Sequence, residues 1–381
     1  MTPGMTVDMP LDVPLDVPLG IDHAFWSGRR VLVTGDTGFK GAWMCMLLRR
    51  LGAVPHGFAL PATDPSLHGL ASVAGDAPPF MGDLRDPAAV AAAVAAASPD
   101  IVFHFAAKAL VREAYAAPAL TFATNVVGTA NLLDAIRAAA CPPSAVLVAT
   151  TDKVYANSGD TQPFLETAPL GAVEPYGASK AGQEMVVDAY RASYFASSPT
   201  RIVTARAGNV LGGGDFATDR LVPDLVRAAA RGEQAVLRNP ASVRPWQHVL
   251  DCLAGYLRYA QAARARQPGL PSRLNFGPSG TGPSGTGPSG TSIAVQDVAE
   301  AICAALGRAG WRVHSDPTAP REAPALRLES TLARETLNWT ETWPGQLGLA
   351  ATANWYKAWL NGQDMREVSL AQIDAFLGSP P

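Results

Sequence analysis

From residue 29 onward, short runs of apolar residues alternate with alanine-rich stretches of helical character, and that rhythm leaves few folds open. "RVLVTG" reads as a strand, and "GAWMCMLLRRLG" after it as a helix closed by Gly52. "VPHGFAL" is a second strand, "DPAAVAAAVAAAS" a helix, and "DIVFHFAA" a strand of nearly continuous apolar character. "PALTFATNVVGTANLLDAIRAAA" follows as one long helix, then "SAVLVATT" as another strand. Strands apolar on both faces must be covered on both faces, and strand–helix alternation covers them through parallel crossovers. The expected fold class is therefore α/β, with a doubly wound parallel sheet.

After about residue 207 the rhythm breaks into a Gly-rich loop, short strands, Pro and Arg. The first domain is placed at 25–206, and a smaller C-terminal lobe mainly at 207–360. A helix at 249–264 is expected to pack back on the first domain. Residues 1–24, with a "PLDV" repeat, read as a disordered extension, and 361–381 as a C-terminal tail. "GPSGTGPSGTGPSGT" at 277–291 reads as a flexible insertion.

Bulk properties exclude several classes. A net charge of −3 carries no polyanion-binding signature, so no nucleic acid partner is expected. No apolar run reaches bilayer length, and the N-terminus lacks a signal peptide's basic start and apolar centre, so no membrane partner is expected. Four cysteines without disulfide or metal spacing suit a reducing, cytoplasmic setting, and the six histidines form no ligand cluster, so no metal is expected.

"VLVTGDTGFKGAW" places Gly35, Gly38 and Gly41 directly after the first strand and at the start of a helix. In that context glycines let backbone N–H groups approach a pyrophosphate at the helix N-terminus, which makes the sheet a Rossmann-type dinucleotide-binding one. A tight turn alone would explain the glycines but not "GDLRD" at 82–86, where Asp83 is placed to meet an adenine amino group and Leu84 its ring. The second strand ends in "ALPAT", with Asp64 beyond it and no Arg nearby for a 2′-phosphate, which favours NAD.

The basic residues comprise twenty-five Arg and only five Lys, and four of those lysines fall in motifs: Lys40, Lys108, Lys153 and Lys180. "EPYGASKAGQEM" sets Tyr176 and Lys180 four apart, on one face of a helix. An ammonium beside a phenol lowers the phenol from its reference value of about 10 toward working pH. Tyr176 can then take a proton from a hydroxyl while a hydride leaves that carbon. "TTDKVY" puts Thr151, Asp152 and Lys153 where a buried strand ends, an acid and a base that a core would not accommodate.

These blocks, together with "RAGNVLGGGDFATDRLVPD", "RNPASVRPWQHVLD", "LNFGPS", "LNWTETW" and "WYKAWLNGQDM", resemble the extended short-chain dehydrogenase/reductase family over nearly all of the chain after residue 24. Within it they resemble the sugar-nucleotide 4,6-dehydratases, those acting on CDP-glucose in particular. The resemblance implies a lyase with recycled NAD. Thr151, Asp152, Lys153, Tyr176 and Lys180 would be catalytic, with Asp152 the acid and Lys153 the base of a water elimination. Those roles need Asp152 to hold a proton and Lys153 to shed one, and desolvation drives both that way. The implied cofactor contacts are Gly35, Thr37, Gly38, Phe39, Lys40, Gly41, Asp83, Leu84, Ala106, Ala107 and Lys108, with Tyr176 and Lys180. Arg112, Asn209, Arg220, Arg238 and Arg244 would bind a nucleoside diphosphate sugar, whose two phosphate charges suit the guanidinium fork. A homodimer through helices at 118–139 and 176–194 is a further implication.

Four departures from the family pattern bear on the exact sugar and base: Lys108 for Gln, Glu113 for a basic or apolar residue, Asp36 for His, and a stretch at 156–175 without the Trp and Arg expected near the sugar. An epimerase or ketoreductase on the same fold would need Tyr176 and Lys180 but not the Asp152–Lys153 pair. A non-catalytic NAD-binding sensor would need none of them.

Overall fold

The computed structural model describes residues 20–75, 80–157, 162–278, 293–307, 310–314 and 326–378. Its centre is a parallel sheet of seven strands: β1 (Arg30–Thr34), β2 (Val54–Ala59), β3 (Phe80–Met81), β4 (Ile101–His104), β5 (Ala145–Thr151), β6 (Arg201–Ala207) and β7 (Arg273–Phe276). The spatial order is β7-β6-β5-β4-β1-β2-β3, so the winding direction reverses between β1 and β4. Their register pairs Val31 with Ile101 and Thr34 with His104.

The apolar strands fill both faces with period two. Val31, Val33, Ile101, Phe103 and Leu147 enter one core, and Leu32, Val102, Val146 and Val148 the other. Helix α1 (Phe39–Arg50) covers the first face with Trp43, Met44 and Leu47. Helix α2 (Pro175–Ser193) presents Val187 to the second. Helix α3 (Val249–Arg264) lies on the first face against β5 and β6, and its Tyr256 and Leu257 join that core.

Three segments depart from the expectations. The stretch expected as a single helix at 118–140 is Pro118–Phe122, a π turn at Ala123–Val127, and Gly128–Ala138. The π turn turns Asn125 into the interior, where it is fully buried. The segment expected as a tail forms helix α4 (Met365–Leu377), whose Met365, Ile373 and Phe376 are buried in the first core, so hydrophobic burial fastens it. Residues 23 and 24, assigned to the disordered extension, begin the fold instead: they open a helical turn at His23–Trp26, and Trp26, buried, donates from its indole to Gln261 at 3.0 Å. Residues 1–19, and the GPSGT repeat beyond residue 278, lie outside the described residues.

Candidate active site

A cleft of about 730 Å³ opens over the carboxyl ends of β1, β4, β5 and β6, at the point where the winding reverses. Doubly wound sheets hold their ligands there. All the residues expected to be catalytic or to bind cofactor or substrate line it: Gly35, Thr37, Gly38, Phe39, Lys40 and Gly41 of the glycine loop, Asp83, Leu84, Ala106, Ala107, Lys108 and Arg112, then Thr151, Asp152, Lys153, Tyr176 and Lys180, and finally Asn209, Arg220, Arg238 and Arg244.

The glycine loop fits a dinucleotide. Gly35 has φ +78°, and a Cβ there would stand 2.7 Å from the Ala106 nitrogen, so only glycine lets the loop lie against the end of β4. A Cβ on Gly41 would strike the Gly35 carbonyl. Gly38 caps α1 with no side-chain bond to its first amides, which leaves those N–H groups for an anion. Thr37 instead donates to the Leu60 carbonyl at 3.0 Å, joining the loop to the end of β2. Asp36 is buried under the loop, and burial pushes its carboxyl up to about 6. Asp83 is not free: its carboxylate accepts from Arg85 Nε at 3.0 Å and from the Arg85 amide at 2.9 Å.

Behind the loop runs a buried polar chain. Thr129 donates to the Asn125 carbonyl at 2.7 Å, so its oxygen accepts from Gln183 Nε2 at 2.7 Å and from His104 Nε2 at 2.9 Å. His104 Nδ1 therefore accepts from the Thr34 hydroxyl at 2.7 Å, whose oxygen takes the Ala106 amide at 3.2 Å. Burial, with Lys180 adding to it, pulls His104 down to about 3, so it stays neutral in this chain.

Lys180 ends the same chain. Its Nζ donates to Gln183 Oε1 at 2.8 Å and to the Ala149 carbonyl at 3.1 Å. Burial, with Lys40 adding to it, pulls it down to about 7. The expected effect of Lys180 on Tyr176 is not what dominates here. Burial pushes the Tyr176 phenol up to about 12, against the opposing hydrogen bond with Thr151 and the charge of Arg220. Desolvation outweighs a neighbouring cation when the ammonium is itself buried and bonded elsewhere.

The end of β5 turns through Asp152–Val154 as a single 3-10 turn, with the Thr151 hydroxyl accepting the Lys153 amide at 3.3 Å. Asp152 is buried, and burial holds its carboxyl above the usual carboxylate range, against the charge of Lys153. Its Oδ1 accepts from Thr151 at 2.9 Å while Oδ2 has no hydrogen-bond partner. An orphaned buried carboxyl oxygen beside a cleft is a feature of functional sites. Helix α2 is capped by Glu174, whose carboxylate accepts the Tyr176 and Gly177 amides at 2.8 and 2.6 Å.

The four departures sort differently in space. Lys108 and Glu113 face each other at 3.3 Å, so the two unusual residues are partners. None of the described residues between 156 and 175 lines the cleft, contrary to the placement near the sugar. That stretch is bound toward β7 instead: Glu166 accepts the Asn275 amide at 2.9 Å, and the Phe164 ring stacks on Tyr155 at 4.9 Å. Residues 158–161 lie outside the described residues. His248 is buried, its Nδ1 accepting the Leu250 amide at 3.3 Å at the start of α3.

Several residues of consequence were not legible in the sequence. Asn125 holds the backbone of Lys108 from both sides, accepting its amide at 2.8 Å and donating to its carbonyl at 2.9 Å. Only a polar residue inside an apolar helical face marked it. Gln183 and Thr129 carry Lys180, and Asp215 and Asp219 pair with cleft arginines. Among the described residues no cluster of His, Cys, Asp or Glu could hold a metal ion, and no helix is long and apolar enough to cross a membrane.

The sheet order, the glycine cradle and the Thr–Tyr–Lys set define a dinucleotide-binding protein of the short-chain dehydrogenase/reductase class. A family model described as GDP-mannose 4,6 dehydratase matches residues 32–351, and the chain belongs to that family. It is 36% identical over 366 residues to a CDP-glucose 4,6-dehydratase of Salmonella typhimurium, a match covering 94% of this chain and 99% of that protein. It is 29% identical over 358 residues to a dTDP-glucose 4,6-dehydratase of Xanthomonas campestris, covering 87% and 95% respectively. Among solved structures, the Thermus thermophilus UDP-glucose 4-epimerase complex with NAD superposes with a TM-score of 0.71 at 26% identity, covering 86% of this chain and 98% of that one.

Proposed function

We propose that the protein is an NAD-dependent sugar-nucleotide 4,6-dehydratase acting on CDP-glucose and releasing CDP-4-dehydro-6-deoxy-D-glucose and water. The observation that carries this reading is the Thr151–Asp152–Lys153 turn, which sets an acid and a base in the same cleft as Tyr176 and Lys180. An epimerase or ketoreductase has no use for that turn. The similarity to the Salmonella typhimurium protein over nearly the whole of both chains supports the cytidine nucleotide.

In this reading Tyr176, sharing a hydrogen bond with Thr151, takes the proton of the C4 hydroxyl. The dinucleotide, when bound, would supply the hydride acceptor for C4 and the hydride returned to C6. Oxidation at C4 acidifies the C5 proton, which Lys153 removes. Asp152, whose carboxyl burial holds above the usual range, gives a proton to the C6 hydroxyl, which leaves as water. Lys153 then returns its proton to C5, and the proton that Tyr176 took from C4 passes through Thr151, which bonds both side chains, to restore Asp152, so the cycle closes. Arg112, Asn209, Arg220, Arg238 and Arg244 hold the nucleoside diphosphate. A cytoplasmic homodimer through Pro118–Ala138 and α2 completes the reading, supported by Val127 and Met185, exposed by 52% and 66% on those helices.

The test is incubation with CDP-glucose and NAD, following the alkali-induced ultraviolet absorbance of 4-keto sugars, with dTDP-, GDP- and UDP-glucose in parallel. A signal with CDP-glucose and no net NADH is expected. Silence with all four, despite measured NAD binding, overturns the dehydratase. Lys153→Ala should lose water elimination yet still reduce NAD, an outcome that an epimerase would not give.

A further inference from the structure

Three arginines expected to meet the substrate's phosphates approach the cleft from different parts of the fold. Arg112 lies on the short helix Val111–Ala116, Arg220 immediately before the helix Leu221–Arg231, and Arg238 just after the strand Ala235–Leu237. Each already has an acidic partner. Arg220 donates to Asp215 Oδ2 at 2.9 Å. Asp219 Oδ1 takes the other two: Arg238 Nη2 donates to it at 2.6 Å, and Arg112 Nη1 stands 3.5 Å away.

The two acids are held very differently. Asp215 is buried, its Oδ1 also accepts the Ala217 amide at 3.1 Å, and its carbonyl accepts the Tyr356 hydroxyl. It is a fixed part of the wall. Asp219 has a side chain 36% exposed and, among the described residues, makes no hydrogen bond other than that to Arg238. Its φ is +60°, in the left-handed region that few residues other than Gly, Asn and Asp visit. A carboxylate at this point repels a diphosphate and cancels part of the attraction of Arg112 and Arg238 for it.

We propose that Asp219 is a displaceable stand-in for the substrate's diphosphate. It holds Arg112 and Arg238 together when the cleft is empty, and it yields both guanidinium groups when a nucleoside diphosphate enters. Because the ligand must replace a charged partner on two arginines at once, Asp219 raises the threshold for entry. Ligands carrying a diphosphate meet it, and a nucleoside alone does not engage it. This inference rests on the sugar-nucleotide reading of the cleft and adds to it a residue that sets affinity.

The test is calorimetric titration of the NAD-loaded protein with CDP and, separately, with cytidine. Asp219→Asn keeps the left-handed backbone and the side-chain shape while removing the charge. Its dissociation constant for CDP should fall by roughly threefold to tenfold, the effect of releasing two partly exposed ion pairs, while that for cytidine stays the same. Asp219→Gly, which relieves the backbone conformation as well, should move CDP binding in the same direction, and circular dichroism melts establish that both variants fold. Unchanged or weaker CDP binding in both folded variants overturns the proposal, weaker binding making Asp219 a substrate contact in its own right. If the unaltered protein binds none of CDP, UDP, dTDP or GDP, the reading of the cleft falls and the proposal with it. Wild-type binding without a gain in the variants sinks the proposal alone.

Discussion

Lys180 Nζ lies 2.8 Å from Gln183 Oε1, with both side chains buried, and its ammonium is therefore committed to a partner on its own helix. The position is costly. A lysine held at about 7 in the fold returns to about 10.4 when the chain unfolds, so the unfolded state binds the extra proton between those values. The stability lost to burying the charge is complete below pH 7 and is recovered as the pH rises toward 10. Lys180→Met, which carries no charge, should melt higher than the unaltered protein at pH 6, with the gap closing between pH 7 and 10. A gap that stays constant across that range would place the lysine's proton elsewhere.

Asp152 has the opposite requirement, since a donor must keep its proton. With the carboxyl held above its usual range by burial, the elimination step should weaken as pH rises through that raised value. Asp152→Asn removes the proton and the limb together. Reduction of NAD by CDP-glucose should survive in it, while release of the 4-keto-6-deoxy product drops by about 10²- to 10⁴-fold. Stopped-flow detection of NADH beside product assay separates the two steps. A variant within tenfold of wild type in product release would strip Asp152 of its role.

Beneath the catalytic turn, Arg206 and Glu184 form an ion pair at 3.0 Å with neither side chain exposed. Glu184 also accepts from Thr150 at 2.6 Å and from Thr204 at 3.0 Å, so its carboxylate is fully engaged and is held below its ordinary value. Arg206→Met strands that carboxylate in the interior and should cost about 3–5 kcal/mol in urea unfolding. Replacing both residues with apolar ones of similar size should recover most of it. A single variant within 1 kcal/mol of wild type would mean that water reaches the site.

Lys108, which lines the cleft, pairs with Glu113 with both side chains more than a third exposed, so the pair adds little to stability. Its effect should appear in cofactor binding instead. Lys108→Gln removes a positive charge from the lining of the cleft and should weaken NAD binding by roughly twofold to tenfold, whereas Glu113→Gln frees the lysine and should strengthen it. Equal dissociation constants in wild type and both variants, read by fluorescence titration, would end the idea that these residues tune the cofactor.

The sheet and the glycine loop were legible in the sequence because their determinants are local. Val31, Leu32 and Val33 are apolar in succession since both faces of β1 are covered, and Gly35 is glycine because of one backbone angle. The motif residues were legible because chemistry restricts what can stand at Tyr176, Lys180 and Asp152. What escaped was set by partners distant in the chain. Burial beside Thr151, not spacing from Lys180, decides the charge of Tyr176. Asn125 turns inward through a π turn that a pattern of apolar residues does not encode. The helix at 365–377 read as a tail because its anchors, Met365, Ile373 and Phe376, are few and widely spaced.

Tyr155 lies two residues beyond Lys153, and its hydroxyl donates to Asn275 on β7 at 2.6 Å while accepting from Arg206 at 2.9 Å. The hinge that follows the acid and the base is thus riveted to two strands of the sheet. Asp219, by contrast, is tied to Arg112 and Arg238 through partly exposed ion pairs. The molecule separates a rigid anvil, where bonds are broken, from a yielding jaw that grips the nucleotide. Selection among nucleotides can then drift by changes in the jaw alone, while the chemistry on the anvil stays as it is.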